Sequence, residues 1–281
     1  MFAFPQPHEE QMFDCPVVPV TDSPEDMATM LAILFDSSSR YKNDILQFRE
    51  VSTMLRLGSK YQVEHVRSEA IRRLKICFPD DLSLYATRHT RYRTIEQIHV
   101  EAYCLNAPIS LIHEDCISVV NFARSFDLPT LLPTALYACA QLPVATLLQG
   151  YTGTDGAVYK LSEPDILRCF RSQRLLRDLL FLNYRWILNG PSETCIQRSE
   201  CRYHMTADMA HLWDTLHFHH DPLIDSGRLW ADLPNFGAGR YCRVCSAQFA
   251  RAYDSQVAGI DWVQLRSYFN LPQPTETQEG Q

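Results

Sequence analysis

Apolar residues recur at helical spacing in one segment after another of this chain, and only one short run reads as a strand. Met27, Met30, Leu31, Leu34 and Phe35 form one stripe, and Val51, Met54, Leu55 and Leu57 a second. Val63, Val66, Ala70, Leu74 and Cys77 form a third. Residues three and four apart share a helix face, so each stripe is one side of an amphipathic helix that another element must cover. The expected fold class is therefore mainly α, with an α+β remnant at the front.

Start and stop signals set the expected boundaries. Residues 1–15 are Pro-rich and acidic and read as a loop, and 17–20 as a strand that Pro19 confines to an edge. Ser23-Pro24-Glu25-Asp26 opens a helix: Ser23 caps, Pro24 suits the first position, and the acids face the positive helix end. Further helices are expected over 51–60 and 63–77, the last with a solvated face of Glu64, Arg67, Glu69, Arg72, Arg73 and Lys75. Phe78-Pro79-Asp80-Asp81 marks a boundary, after which helices are expected at 81–88, 109–126, 131–142 and 164–188. Ser162-Glu163-Pro164-Asp165 starts the last of these, and Asn189-Gly190-Pro191 stops it. Residues 151–159 carry turn formers and read as a loop. The domains expected are 1–79, a helical linker region 80–160, a Cys-bearing helical region 161–270 and a polar tail 271–281.

Charge and cysteine usage bound the function. The net charge of −7 argues against a dedicated nucleic-acid binder, which needs clustered Lys and Arg for phosphates. Residues 1–16 lack the basic and apolar regions of a secretory signal, so the ten cysteines are expected as reduced thiols or metal ligands in the cytoplasm or nucleus. Residues 128–154 carry no charge, but Pro129, Pro133 and Pro143 interrupt them, so a buried helix is expected rather than a membrane span.

The strongest chemical signal is a pair of cysteine pairs. Cys242-x2-Cys245 has the spacing that lets two thiolates reach one ion, and Cys195-x5-Cys201 could supply the other two ligands of a tetrahedral structural zinc site. Buried reduced thiols are the competing expectation, and His204 or His211 could stand in for a ligand. His217-x-His219-His220-Asp221 lacks an H-E-x-x-H arrangement and reads as a polar helix end, not a catalytic metal site. The cluster Arg88-His89-Thr90-Arg91-Tyr92-Arg93 reads as exposed loop, and Trp186, Trp213, Trp230 and Trp262 as core. Cys77, Cys116, Cys139 and Cys169 sit on apolar stripes as small hydrophobes. With ten glycines and no G-x-S-x-G, P-loop or G-x-G-x-x-G, no catalytic residues and no cofactor-binding loop are expected.

Three runs carry a family resemblance. Cys15-Pro16-Val17-Val18 leading to Asp22-Ser23-Pro24-Glu25-Asp26 is similar to the strand-to-helix passage of the BTB/POZ domain in basidiomycete fungal proteins. Residues 51–61 and 65–74 resemble its next helix and its last. Residues 132–139 and 161–165, then Trp262, Leu265, Tyr268, Phe269, Leu271 and Pro272, resemble the helical region that follows in that family. The resemblance implies a protein–protein interaction module without catalysis, either a ubiquitin-ligase adaptor for a cullin-type scaffold or a transcription-associated scaffold. The expected partner surface is Met30, Leu34, Phe35, Met54, Leu57 and Tyr61. Met1 matches an internal methionine of the family, so the chain is expected to be N-terminally truncated within the BTB domain. The family's homodimer is built on the missing strands and helices, and dimerisation by that route is not expected. The alternative function is a metal-dependent enzyme or nucleic-acid-binding factor built on the C-terminal Cys/His segment.

Overall fold

The computed structural model of the chain describes residues 11–13, 15–35, 44–81, 84–85, 107–215, 240–257 and 263–272. It is mainly helical, with small two-stranded sheets. Two compact units are present, Met1–Ile71 and Arg72–Gln281, and the division falls inside a helix, ahead of the break expected at 78–81.

The first unit opens with a hairpin. Strands β1 (Gln11–Met12) and β2 (Cys15–Pro16) pair antiparallel, Gln11 opposite Pro16 and Met12 opposite Cys15. The strand expected at 17–20 is not formed: pairing ends at Pro16, and Pro19 cannot donate to a ladder. Helix α1 (Pro24–Phe35) starts as its residues dictate, with the Asp26 backbone N–H donating to Ser23 Oγ at 3.1 Å. After β3 (Leu46–Gln47), helix α2 (Phe48–Lys60) begins earlier than expected. A capping box between Gln47 and Glu50 closes its first turn, the Gln47 N–H donating to Glu50 Oε2 at 2.8 Å. Val51, Met54, Leu55 and Leu57 are all in the core.

Helix α3 (Glu64–Cys77) turns back from α2 at a close backbone approach. A Cβ on Gly58 would lie 2.9 Å from the Arg67 backbone nitrogen, so the position accepts glycine alone without a shift. Helices α1 and α2 pack together. Asp26, buried in that contact, accepts hydrogen bonds from Thr53 Oγ1 at 2.8 Å and Arg56 at 2.9 Å. Burial raises the Asp26 carboxyl, and the bonds from Thr53 and Arg56 outweigh it, so the group stays below the usual carboxylate range. Asp22 does the same work at the exposed end of α2, accepting from Lys60 Nζ at 2.7 Å and the Tyr61 hydroxyl at 2.5 Å.

The second unit corrects one expectation at once. Arg73, assigned to a solvated face, is fully buried and donates to the Pro108 carbonyl at 2.6 Å. A long side chain that finds a carbonyl can follow its methylene stem into the interior. The helix expected over 109–126 starts late. Ile109–Ser110 is a short strand, β4, and the Asp115 carboxylate takes the Ile112 N–H at 2.9 Å, a local turn that delays helix α4 to Asp115–Ser125. Helix α5 (Leu132–Ala140) is buried at every position and packs on α4. At about 1.5–3 kcal/mol for each large apolar side chain, residues such as Leu136 make it the anchor of the unit. No described helix is long and apolar enough to cross a membrane.

Helix α6 (Val144–Gln149) leads to a second hairpin, β5 (Tyr151–Thr152) with β6 (Val158–Tyr159), where a loop was expected. Gly150 enters it at φ +80°, and a Cβ there would fall 2.1 Å from the Tyr159 carbonyl oxygen. Helix α7 (Glu163–Leu188) is the longest element described, capped by Ser162, whose Oγ accepts the Asp165 N–H at 3.3 Å. It ends at Leu188, ahead of Gly190 at φ +78°. Around α7 pack α5, α8 (Arg198–Thr215), α9 (Arg243–Val257) and α10 (Val263–Tyr268). The last helix is held by Ser172 Oγ donating to the Tyr268 carbonyl at 2.7 Å, with Leu265, Phe269 and Leu271 buried.

Asp165 is the polar hub of this unit. It lies buried at the N-terminus of α7, where Arg124 of α4 donates to it at 2.8 Å, Arg168 at 3.0 Å and Ser162 Oγ at 3.0 Å. Cys77, Cys116, Cys139 and Cys169 are buried as expected, the Cys139 and Cys116 sulfurs 3.3 Å apart. The basic cluster 88–93, the 217–221 segment, Trp230, Trp262 and the tail 273–281 lie outside the described residues, as do the Trp186 and Trp213 side chains.

Candidate metal centre

Two separate stretches of chain bring Cys195, Cys201, Cys242 and Cys245 to one point. Cys195 lies on the irregular segment between α7 and α8, and Cys201 in the first turns of α8. Cys242 immediately precedes α9, and Cys245 lies in its first turn. All four sulfurs lie within 4.8 Å of one another, and those of Cys195 and Cys242 are 3.7 Å apart. A zinc–thiolate bond of about 2.3 Å sets the edges of a tetrahedron at about 3.8 Å. The cluster therefore has the size and the donor set of a structural metal site such as zinc. No two of the described cysteines are bonded to each other. Four thiolates fill a tetrahedral shell, leaving no position for a water or substrate.

The expected x5 spacing of the first pair works because Cys195 is not helical. The chain turns after it and starts α8 at Arg198, so Cys201 comes back alongside. Backbone N–H groups surround the sulfurs. The Cys242 N–H donates to Cys201 Sγ at 3.3 Å. Burial raises the Cys242 thiol, but N–H groups of Cys245 and Ile196 donate to it and bring it down to about 6, a thiolate at neutral pH. Burial pushes Cys201 up, and Cys245 up to about 12. Cys201, Cys242 and Cys245 are buried, whereas Cys195 is half-buried.

A second polar cluster supports the first. Asp208, buried on α8, takes Arg240 at 3.0 Å and the Tyr241 hydroxyl, so the two residues before Cys242 are tied to the helix that carries Cys201. The Tyr241 ring packs edge-on against Phe249 of α9, centroids 4.9 Å apart. No spacing rule marks Asp208. The only signal was the polar pair Arg240-Tyr241 beside the second cysteine pair. His204, a candidate substitute ligand, is not among the four. Its ring stands against Tyr241 at 6.1 Å, and its buried Nδ1 has no hydrogen-bond partner among the described residues. The His211 side chain lies outside the described residues.

The expected partner surface divides. Met30, Met54 and Leu57 are buried at 1–2 % exposure in the two packed helices α1 and α2, and present no surface of their own. Tyr61 is half-buried and engaged with Asp22. Leu34 and Phe35 are exposed, Phe35 at 81 %, and Leu31, one turn before Phe35, is exposed beside them. No known protein family, curated protein or solved structure matches the chain.

Proposed function

We propose that the chain is a non-catalytic protein-interaction module, with an apolar docking face on its first unit and a second unit clasped by structural zinc. The observation that carries the docking face is the outer side of α1. Asp26 and Met30, one turn apart, point inward, and Leu31 and Phe35, also one turn apart, are exposed on its other flank. A folded domain ordinarily shields such a stripe, so an apolar flank held rigid by the Asp26 bridge fits a binding surface. The resemblance of 15–36, 51–61 and 65–74 to the BTB/POZ domain supports the same reading and points to a cullin-type scaffold as partner.

The zinc half rests on the donor set. Four sulfurs gathered within 4.8 Å favour a closed site that fixes α8 and α9, and disfavour the alternative of an open catalytic metal. Two measurements test the function. Elemental analysis of the purified chain is expected to return about one zinc per chain, the content of one four-ligand site. Calorimetric titration with a cullin N-terminal domain is expected to show binding that Phe35→Asp abolishes while circular dichroism stays unchanged. Absence of binding in the parent chain, or binding indifferent to Phe35→Asp, overturns the docking face.

A further inference from the structure

The four-cysteine cluster is uneven in a way a purely structural clasp does not require. Cys201 and Cys245 are 0 % exposed and Cys242 is 5 % exposed, whereas Cys195 is half-buried. Cys201 and Cys245 are also held within helices, while Cys195 lies on the irregular segment before α8 and Cys242 immediately before α9. The least buried of the four residues and its 3.7 Å neighbour are thus the two ligands outside regular structure.

From this geometry we infer that the cluster is an oxidation-labile clasp, in which hydrogen peroxide converts Cys195 and Cys242 to a disulfide and the metal leaves. The proposal rests on the reading of the cluster as a zinc site. Susceptibility to a small peroxide follows exposure, and Cys195 is the least buried of the four, so it is attacked first. Its sulfur takes one peroxide oxygen as the O–O bond breaks, forming a sulfenic acid. The other oxygen leaves as hydroxide and is protonated to water. The Cys242 thiolate then forms the S–S bond and expels the sulfenic oxygen, which leaves as a second water. Two thiolates are oxidised by two electrons, one peroxide is reduced and two protons are consumed. The sulfurs need to close from 3.7 Å to about 2.05 Å for the bridge to form. Only Cys201 and Cys245 then remain as ligands, too few for a closed tetrahedral site.

The alternative thiol pair, Cys116 and Cys139, is closer at 3.3 Å but fully buried, so it is not the pair oxidised. The test uses the full zinc-loaded chain. Hydrogen peroxide is added, released zinc is read with a colorimetric chelator, and disulfides are mapped by mass spectrometry of unreduced peptides. The expected result is loss of the bound zinc together with a Cys195–Cys242 bridge, both reversed by dithiothreitol and added zinc. Cys195→His keeps a zinc-ligating side chain but cannot bridge, and is expected to retain its zinc under the same peroxide. A chain that binds no zinc overturns the metal reading and this proposal with it. A zinc-loaded chain that keeps its metal, or that forms a bridge elsewhere, overturns the redox clasp alone.

Discussion

The Tyr241 hydroxyl donates to the buried Asp208 carboxylate and so ties the residue next to Cys242 to the helix that carries Cys201. Removing that hydroxyl leaves Asp208 with Arg240 as its charged partner, and a buried carboxylate that loses a hydrogen bond costs about 1–3 kcal/mol. Groups that orient metal ligands typically matter by about 10–100-fold in metal affinity. Tyr241→Phe is therefore expected to weaken zinc binding about tenfold in a competitive chelator titration, with the zinc-loaded fold retained.

Metal removal should act on the second unit. The ligands close the chain between Cys195 and Cys242, 47 positions apart, and metal binding free energy becomes folding free energy where the site does not exist in the unfolded chain. Cys245→Ser, or exhaustive chelation, is expected to lower the thermal midpoint by more than about 5 °C, since about 2–4 °C accompanies each kcal/mol in a domain of this size. Differential scanning calorimetry with and without chelator checks this.

Asp165 and Asp115 should respond oppositely to amidation. Burial raises Asp165, but the bonds from Arg124 and its charge outweigh it, so the folded-state pKa is lowered. Its contribution is then fully present above about pH 4 and is lost as pH falls through the lowered folded value. Asp165→Asn is expected to cost about 2–3 kcal/mol at neutral pH, discounted for the partial exposure of Arg124, and to flatten acid unfolding. Asp115 is raised by burial, which the Ile112 N–H and Tyr151 hydroxyl only partly offset. Its favourable contribution is present below about pH 4 and is lost as pH rises through the raised folded value. Asp115→Asn can still accept the Ile112 N–H and donate to Tyr151 while Tyr151 donates to Ser118. It is expected to be neutral or stabilising at pH 7, within about 1 kcal/mol by urea unfolding.

Gly58→Ala tests the turn from α2 to α3. The new methyl carbon would meet the Arg67 backbone nitrogen at 2.9 Å, and backbone cannot step aside as a flexible side chain does. A cost of about 1–3 kcal/mol is expected, the usual range for overpacking, read as a shift in urea midpoint.

Local signals were legible and long-range ones were not. Helices α1 and α7 announce themselves through Ser23 and Ser162, because a cap is a hydrogen bond within one turn. Spacing and donor chemistry made the four cysteines candidates for one site, with buried reduced thiols as the competing expectation, and only their convergence within 4.8 Å brings them together. Helix α8 carries apolar and charged residues without a clear stripe, so no periodicity marks it, and its place is set by Cys201 and by Asp208.

The sequence by itself determined that this chain is mainly helical, where helices α1 and α7 begin, and that Cys195, Cys201, Cys242 and Cys245 are candidates for one site. Tertiary structure alone decided which face of each helix is covered. It buries Arg73 against a carbonyl 35 positions away, takes Met30, Met54 and Leu57 out of the expected partner surface, and leaves Phe35 outside. Helical spacing tells which residues share a side, but burial depends on what packs there, and that partner is remote in sequence.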